Sequence, residues 1–387
     1  MYRIGKEETE AVGRVIEKKS LFRINDETRE VLQLERELAE RFGVANCLYV
    51  SSGTAALISI FAALGIGPGD EVIVPSYTFI ATPNAVLNVG AIPVLAEVDE
   101  TLTIDPGDLR KKITDRTRAI LPVHIMGFPC DMDAIMEIAA LHGLYVIEDA
   151  CQSIGGTYGG RCLGSIGTAG AMSFNYYKVI SAGEGGAVLV NDAEVFERSL
   201  IYHDVGCSYW SYERELTYPY FVGSQFRASE LMAAVMRVQL TRLDGILSDL
   251  RRVRKSLCER FSGAKEFTVA KSNDAFGDVG ITVPLRFGSG AEARRFNENF
   301  KAGTIPLDVN RHVFIHWRPI LEKRVTNNPH TNPYNMELNK GGKFEITADC
   351  CPQTLDNLGR TVYVTAGIDS TEAELDALAK RCLDAAK

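Results

Sequence analysis

The chain has 387 residues and a formal net charge of −8, so its surface offers no basic footprint for nucleic acid. Hydrophobic residues make up 46% and charged residues 24%, which is ordinary for a globular protein with a large core. The N-terminal residues are charged and amphipathic, unlike a signal peptide. The longest apolar run, near residues 55–66, is too short to span a bilayer. We therefore expect a cytoplasmic protein that binds neither nucleic acid nor membrane.

The first part of the chain alternates between predicted helices and strands. Hydrophobic periodicity predicts amphipathic helices over residues 6–18 and 28–42. The strands that follow are predicted at 46–50, 71–76, 91–98, 119–125 and 144–149, and the helices between them at 51–65, 78–89, 106–113 and 131–142. These strands are rich in β-branched residues and lack polar alternation. That pattern predicts an α/β protein with a mostly parallel sheet covered by helices on both faces.

The remainder of the chain predicts a second, smaller domain. The predicted strands are at 171–178, 187–192, 267–270, 278–287 and 361–365, and the first of them ends at Lys178. The predicted helices are one that ends at about Tyr202, a long one over 228–261, one at 291–300 and a closing helix at 370–386 capped by Ser370. The segment 323–350 is polar and loop-like. We expect an N-terminal segment and large domain over residues 1–245, and a small C-terminal α+β domain over residues 246–387.

An acidic residue and a lysine form the central chemical pairing. Asp149 lies at the end of a predicted buried strand, and Lys178 follows the glycine-rich crossing that comes next. Pyridoxal 5'-phosphate needs a lysine to hold it as a Schiff base and an acid to keep its pyridine nitrogen protonated. We therefore predict this cofactor, with Lys178 and Asp149 in those two roles. A nicotinamide enzyme using the glycines at 183–186 is the alternative, but these glycines lack the G-x-G-x-x-G spacing.

Other polar residues are predicted to lie at the same edge of the sheet, because ligands of parallel sheets bind at the carboxyl ends of the strands. The segments at such ends are 51–54, 75–79, 148–152 and His124. The Ser-Ser-Gly-Thr junction at 51–54 opens a helix, so it points backbone N–H groups and the helix dipole at one spot. This geometry suits a phosphate, although an ordinary helix cap would have the same sequence.

The cysteines and histidines predict no metal site. None of the nine cysteines forms a C-x-x-C pair, so we expect reduced thiols and no disulfide framework. Cys151 could be a nucleophile, but we interpret it as a packing residue behind the site. Four histidines could act as ligands or bases, namely His124, His203, His312 and His316. Their spacing matches no metal-binding pattern. Of these, His316 is the one expected to face a substrate.

Several ordered motifs resemble the DegT/DnrJ/EryC1/StrS family, a group of pyridoxal-phosphate-dependent, fold-type-I sugar aminotransferases. The motifs include SSGTAAL, GPGDEVIVPSYTFIAT, VIEDACQSIGG and SFNYYKVISAGEGGAVLVND. The resemblance runs from about Ile4 to Gly245 and more weakly to the end. A related branch of the family carries out dehydration with a histidine in place of the lysine, and Lys178 argues against that branch.

The resemblance implies a role for each matching residue. It makes Lys178 the Schiff-base lysine, Asp149 the acid on the pyridine nitrogen, Gln152 a neighbour of the ring, Phe79 the stacking aromatic, Gly53 and Thr54 the phosphate turn, and Ser173 a phosphate hydroxyl. The family is typically a homodimer with shared sites. An asparagine of its G-x-N-x-R pattern reaches the partner's phosphate, and Gln225 stands at that position here.

The expected activity is transfer of an amino group from an amino acid, by family habit glutamate, to a keto or aldehyde sugar. The segments 224–227 and 310–350 loosely resemble the 8-amino-3,8-dideoxy-octulosonate transaminases, which suggests an acidic acceptor bound by Arg227, His316 or Arg318. Alternatively, Arg227 is a structural ion-pair partner and Arg318 is solvated. The alternative acceptors are a nucleotide-linked ketohexose and a cyclitol. The alternative function is that of a regulator that binds the cofactor without catalysing a reaction. Aromatics around Trp210 are either a sugar platform or an interface anchor.

Overall fold

The computed structural model describes residues 3–23, 29–206 and 216–387. The chain begins with two helices, α1 (Lys6–Glu17) and α2 (Glu30–Phe42). The elements of the following stretch are β1 (Asn46–Val50), α3 (Gly53–Ala63), β2 (Glu71–Pro75), α4 (Ala81–Asn88), β3 (Ile92–Ala96), α5 (Pro106–Lys112), β4 (Thr117–Ile120), α6 (Met132–His142), β5 (Tyr145–Asp149), β6 (Thr157–Tyr158), β7 (Arg161–Cys162), β8 (Ala169–Ser173), β9 (Gly186–Val190) and α7 (Ala193–His203). The aromatic run around Trp210 lies outside the described residues.

The later part of the chain contains one long helix, a small sheet and its covering helices. These elements are α8 (Glu230–Phe261), β10 (Phe267–Val269), β11 (Val283–Phe287), α9 (Gly290–Phe300), α10 (Arg318–Leu321), α11 (Pro352–Gly359), β12 (Thr361–Val364) and α12 (Glu372–Ala386). Short 3-10 turns interrupt the polar segment predicted as a loop, for example Pro329–Thr331 and Glu337–Asn339. No helix within the described ranges combines the length and apolar character that a membrane crossing requires.

The large sheet has seven strands in the order β1-β9-β8-β5-β4-β2-β3. The pairs from β8 to β3 are parallel, whereas β9 runs antiparallel to both β1 and β8. Every residue of β2 and β9 is buried, because helices cover both faces of the sheet. The predicted fold, a mostly parallel sheet flanked by helices with a small additional sheet, is confirmed.

The small sheet, β10-β11-β12, is antiparallel. Its core includes Phe267, Phe296 and Leu375, together with Val253 and Leu257 from α8. Residues earlier in α8 instead belong to the core beneath the large sheet. The helix is therefore shared by both cores, and the predicted division at 245/246 falls inside a continuous helix of 32 residues. The division into 1–245 and 246–387 stays a prediction.

Several local predictions were wrong. The strands predicted at 119–125 and 278–287 are β4 (Thr117–Ile120) and β11 (Val283–Phe287), which have different limits. The strand expected to end at Lys178 is β8, which ends at Ser173. Beyond it the chain forms a closed loop in which Phe174 N–H bonds to the carbonyl of Gly185 over 2.9 Å, and Lys178 lies in this loop. The closing helix is capped by Thr371 and not by Ser370. The Thr371 hydroxyl accepts a hydrogen bond from Glu374 N–H, and the Glu374 carboxylate accepts one from Thr371 N–H over 2.8 Å. The two residues therefore form a capping box.

Candidate active site

Asp149 ends β5 and is only 5% exposed. Its Oδ2 accepts a hydrogen bond from the Thr82 hydroxyl over 2.7 Å, and its Oδ1 accepts one from the backbone N–H of Cys151 over 3.1 Å. Thr78 lies 2.7 Å from Thr82, hydroxyl to hydroxyl. The carboxylate is therefore held in one orientation by donors from α4 and from the chain beyond β5. A fixed, buried carboxylate at a strand end is suited to bind a protonated ring nitrogen.

Cys151 connects the other parts of the site. A Cβ atom added to Gly53 would lie 2.6 Å from Cys151 Sγ and 2.9 Å from the Cβ of Ser173, so only glycine permits this close approach. Burial, followed by the Asp149 charge, raises the pKa of the Cys151 thiol, while the Lys178 ammonium acts in the opposite direction. The Asp149 carboxylate and the start of α3 therefore both lie next to Cys151, whose raised pKa keeps its thiol protonated at pH 7. This supports the interpretation of Cys151 as a packing residue.

The N-terminus of α3 forms a donor-rich corner. The Ser52 hydroxyl caps the helix by accepting from Ala55 N–H over 3.1 Å, whereas the N–H groups of Gly53 and Thr54 have no acceptor within the helix. Ser173 borders the same corner through its contact with Gly53. N–H groups, a hydroxyl and the positive end of a helix dipole are the features of an anion site.

The glycines at 183–186 have a packing role in this structure. Ser52 pairs with Gly185 in a parallel bridge, and a Cβ on Gly186 would collide with the carbonyl group of Ser52. The glycines thus let the loop after β8 approach the α3 corner. This arrangement differs from the strand-to-helix turn of a dinucleotide-binding fold.

Phe79 lies in a loop completed by the C-terminal part of the chain. The N–H groups of Thr78 and Ile80 bond to the carbonyls of His312 and Arg311, each over 2.9 Å. The Phe79 ring is 37% exposed, and its centroid lies 5.4 Å from that of the His312 imidazole. Phe79 therefore presents an aromatic face at the edge of the sheet, as its predicted stacking role requires.

The structure brings His312 beside Phe79, whereas the substrate-facing role of His316 stays a prediction. Burial, followed by the charges of Lys178 and Arg311, lowers the pKa of His312 to about 4, so the imidazole is neutral at pH 7. His316 instead makes a hydrogen bond of 3.2 Å from its Nε2 to the carbonyl of Leu307. The importance of His312 was missed because its neighbours come from distant parts of the sequence.

Gln152 follows Asp149 in the same loop. Its carbonyl oxygen accepts a hydrogen bond from the backbone N–H of Met126 over 3.1 Å. This contact fixes the side chain beside the turn that follows β4. Its predicted place beside a cofactor ring stays a prediction.

The residues predicted to bind an acidic acceptor are in different surroundings. Arg227 Nη1 pairs with Oδ1 of the buried Asp204, and its guanidinium lies over the Phe22 ring at 5.3 Å. Arg318 is 85% exposed, with Nε 3.9 Å from the Glu322 carboxylate. The geometry therefore matches the alternative considered for both residues, with Arg227 in an ion pair and Arg318 solvated. Gln225 is exposed.

Two other histidines are built into the core. The Nε2 atom of His124 lies 3.0 Å from Oε2 of Glu148, whose carboxylate also accepts backbone N–H bonds from Gly164, Ile166 and Gly167. His203 is buried, with Nδ1 2.6 Å from the carbonyl of Leu200. These contacts give His124 and His203 structural positions.

Known proteins with similar sequences include sugar-modifying enzymes. The chain is 40% identical over 230 residues to GDP-perosamine synthase of Caulobacter vibrioides, covering 58% of this chain and 60% of that protein. It is 43% identical over 232 residues to dTDP-3-amino-3,4,6-trideoxy-alpha-D-glucose transaminase of Streptomyces venezuelae, with coverage of 58% and 60%. It is also 40% identical over 268 residues to the spore coat polysaccharide biosynthesis protein SpsC of Bacillus subtilis, covering 67% of each. The first two matches span about 60% of the relatives' length.

Solved structures show the same fold over almost the whole chain. 3-Amino-5-hydroxybenzoic acid synthase superposes with a TM-score of 0.81 at 26% identity, covering 100% of this chain and 97% of that one. An aminotransferase from Psychrobacter cryohalolentis gives a TM-score of 0.78 at 28% identity, with coverage of 98% and 97%. In addition, residues 2–340 match the model of the DegT/DnrJ/EryC1/StrS aminotransferase family. This match extends well beyond Gly245, where the stronger part of the resemblance was predicted to end. The chain therefore belongs to the DegT/DnrJ/EryC1/StrS aminotransferase family.

Proposed function

We propose that this protein transfers an amino group from an amino acid, glutamate, to the keto or aldehyde group of a sugar, with pyridoxal 5'-phosphate as its cofactor. The observation that carries the proposal is the arrangement around Cys151. The carboxylate of Asp149 accepts from the Cys151 backbone N–H, and the glycine-permitted corner of α3 packs against the Cys151 thiol. The charge of Lys178, in the loop after β8, acts on the same thiol. When bound, the cofactor supplies an electron sink for a carbanion on the amino-bearing carbon.

The residues present fit that cofactor. The α3 corner, with the Gly53 and Thr54 N–H groups and the neighbouring Ser173 hydroxyl, offers donors for a phosphate. Phe79 offers an aromatic face, and Asp149 offers a buried carboxylate for a protonated pyridine nitrogen. Lys178 supplies the amine that would hold the cofactor covalently. Each group the cofactor needs is met by a residue of matching chemistry.

Lys178 also has a second role in the proposed reaction. With the cofactor bound, Nζ of Lys178 would act as the base that removes a proton from the reacting carbon of the amino donor, which requires a neutral amine. His312 is neutral near pH 7 because its pKa is lowered to about 4. It can therefore border the site without adding a second positive charge beside Phe79. Thr82 and Thr78 keep Asp149 in place while charge develops.

The finer part of the proposal is the acceptor. An acidic, octulosonate-type sugar would need a guanidinium partner. Arg227 is already paired with Asp204, so the exposed Arg318 is the arginine proposed for that role. The GDP- and dTDP-linked sugars in the names of two relatives are consistent with the alternative, a nucleotide-linked ketohexose. A cyclitol ketone is the third class.

A half-reaction assay tests the activity and the acceptor together. The cofactor-loaded protein is incubated with glutamate, and release of 2-oxoglutarate and loss of the lysine-bound cofactor's visible absorbance are followed. The aminated protein is then offered the acidic octulosonate-type sugar, the nucleotide-linked ketohexose and the cyclitol ketone separately. We expect amine transfer to one of these classes. Cofactor binding without any glutamate turnover would instead favour the regulator, and absence of the absorbance band would contradict the cofactor assignment.

We further propose a homodimer with shared sites. Exposed aromatic or apolar side chains lie beside both Lys178 and Gln225. Next to Lys178, Tyr176 is 62% exposed and Tyr177 is 81% exposed. Near Gln225, Tyr220 is 58% exposed and Val222 is 88% exposed. Such side chains favour burial against a second chain. In this arrangement Gln225 of one chain reaches the phosphate corner of the other.

Mixing two inactive variants tests shared sites directly. Lys178→Ala removes the amine, and Gln225→Glu places a negative charge against the partner's phosphate, so each homodimer is expected to be inactive. In a mixed dimer, one site would combine both changes and the other would contain neither. Activity should therefore return on co-refolding the two variants. Recovery is impossible if both residues serve the same chain's site, and a monomer mass in sedimentation would also contradict the proposal.

A further inference from the structure

Two adjacent cysteines, Cys350 and Cys351, lie immediately before α11, and neither is among the residues assigned to the cofactor. The Sγ atoms of Cys350 and Cys351 are 3.8 Å apart. Cys351 is fully buried and belongs to the main hydrophobic core, whereas Cys350 is only partly buried. One thiol can therefore meet a small solute while its neighbour stays behind it in the protein.

The two thiols also differ in acidity. The hydrogen bond from Cys351, the backbone N–H contact at Thr347 and the charge of Lys112 lower the pKa of Cys350 to about 7. The neighbouring Cys350 and burial raise the pKa of Cys351. Burial likewise raises the pKa of the Cys47, Cys162 and Cys258 thiols. Cys350 thus combines partial exposure with thiolate character, which determines cysteine reactivity.

We propose that Cys350 and Cys351 form a reversible redox modification site that reacts with hydroperoxides. The Cys350 thiolate attacks the terminal peroxide oxygen, the O–O bond breaks, and the leaving alkoxide takes a proton to give an alcohol, or water from hydrogen peroxide. The Cys351 sulfur then attacks Sγ of the Cys350 sulfenic acid. The S–O bond breaks, and the hydroxide leaves as water with the Cys351 proton. Two thiols lose two electrons, and the peroxide gains them.

Geometry makes the product readily reversible. Cα atoms joined by a trans peptide are about 3.8 Å apart, whereas disulfide-linked Cα atoms are usually separated by about 4.4–6.8 Å. A bond between neighbouring cysteines is therefore strained, and strained disulfides are the easily reduced ones. The sulfur atoms must also approach from 3.8 Å to about 2.05 Å. A thiol reductant should consequently restore both thiols.

Oxidation at this pair has a direct route to the Phe79 loop. Cys351 is the N-cap residue of α11, and Thr354 lies in the first turn of the same helix. The Thr354 hydroxyl lies 2.7 Å from the Ser76 hydroxyl. The Ser76 carbonyl accepts from Phe314 N–H over 3.1 Å, next to the pairing that holds Phe79. Drawing the Cys351 sulfur towards Cys350 shifts the start of α11, and with it the Thr354 hydroxyl that contacts Ser76. We therefore expect the oxidised protein to loosen the loop at 76–80.

Peptide mass spectrometry tests the modification without any activity assay. Trypsin releases residues 344–360 as a peptide whose cysteines are this pair alone. After brief hydrogen peroxide treatment and alkylation, we expect the peptide to have lost two hydrogens, to resist alkylation, and to recover both alkylation sites after dithiothreitol. Cys350→Ser should abolish this product, while the matched control Cys258→Ser should leave it unchanged. Free thiols at 350 and 351, or Cys350 sulfinic acid without pairing, would overturn the proposal.

Hydrogen exchange tests the route to the loop. Backbone amides of residues 76–80 should exchange faster in the peroxide-treated wild type than in the reduced protein, and dithiothreitol should reverse the difference. The Cys350→Ser variant should show the same exchange before and after peroxide. Unchanged exchange in wild type carrying the confirmed disulfide would overturn the coupling to Ser76.

Discussion

The hydroxyl of Thr82 donates a hydrogen bond of 2.7 Å to Oδ2 of Asp149. The donor lies in the first turn of α4 and the acceptor at the end of β5, so the bond joins an element beside the Phe79 loop to the centre of the sheet. Because the other carboxylate oxygen accepts from a backbone N–H, Thr82 supplies the side-chain donor that fixes the plane of the carboxyl group.

Replacing Thr82 by valine should slow the reaction while leaving the fold intact. The change keeps the shape of the side chain but removes a hydrogen bond to a charged group, worth about 1.5–3 kcal/mol. We expect kcat to fall roughly 10-fold or more, with cofactor still bound. Thr82→Ser keeps the hydroxyl and is the matched control. Equal rates for the valine and serine variants would show that the bond does not affect catalysis.

Replacing Asp149 by asparagine should separate cofactor binding from rate. The amide preserves the size of the side chain but cannot keep a ring nitrogen protonated. We expect the Asp149→Asn variant to bind pyridoxal phosphate and lose most of its kcat. Cofactor content is measured after denaturation, and rate by amine transfer. Wild-type kcat in this variant would place the required acid elsewhere.

Replacing Lys178 by alanine should abolish transamination in a folded protein. The side chain lies in a loop after β8 and outside the strand itself, so its loss removes little packing. No other group in the proposed site both holds the cofactor and moves the proton. Circular dichroism and thermal unfolding check the fold, and Lys255→Ala, at an exposed lysine of α8, is the control. Near-normal turnover would rule out the assignment.

Replacing Arg227 should affect stability more than acceptor binding. Its partner Asp204 is fully buried, and removing one member of a buried pair costs about 3–5 kcal/mol. Because Arg227 is partly exposed, we expect Arg227→Ala to lower the free energy of unfolding by about 2–3 kcal/mol. Arg227→Lys should recover part of this loss. A stable Arg227→Ala variant with a strongly raised acceptor KM would instead make Arg227 a substrate residue.

His312 should make the folded protein less stable as the pH falls. Its pKa is lowered from 6.5 to about 4 in the folded protein, so below pH 6.5 the unfolded chain takes up a proton that the native protein does not. Stability should fall as the pH drops from 6.5 to 4 and then level off. After allowance for solvent screening, the loss should be about 1–2 kcal/mol. Urea unfolding at pH 7 and pH 4.5 should show a smaller loss for His312→Gln; equal losses would contradict the prediction.

Much of the fold could be predicted from local patterns. Strands without polar alternation, such as Glu71–Pro75 with its apolar run from Val72 onward, alternate with helices. They identify a parallel sheet because each strand is buried on both faces. The limits of elements were harder to predict. The apolar run beyond Ser173 looks like a strand, but the loop from Phe174 to Gly185 closes on itself. Ser370 and Thr371 are both good caps, and the position of Glu374 decides in favour of threonine.

The candidate site could be predicted only where its residues follow strands or belong to family motifs. Asp149, Gly53 and Phe79 meet that condition. His312 does not, because its place beside Phe79 depends on backbone pairing between distant segments. The same applies to Arg227, since neither its charge nor its spacing reveals the buried Asp204 as its partner.

The pairing of Thr78 and Ile80 with His312 and Arg311 has a consequence for biosynthesis. On the ribosome, the chain must extend past residue 312 before these two N–H groups can find their acceptors. A nascent polypeptide that has formed β1 to β9 would therefore still lack an ordered aromatic face at Phe79. Full retention of the cofactor is consequently expected only after the C-terminal third has emerged, and prematurely terminated chains should be poor competitors for the cellular cofactor pool.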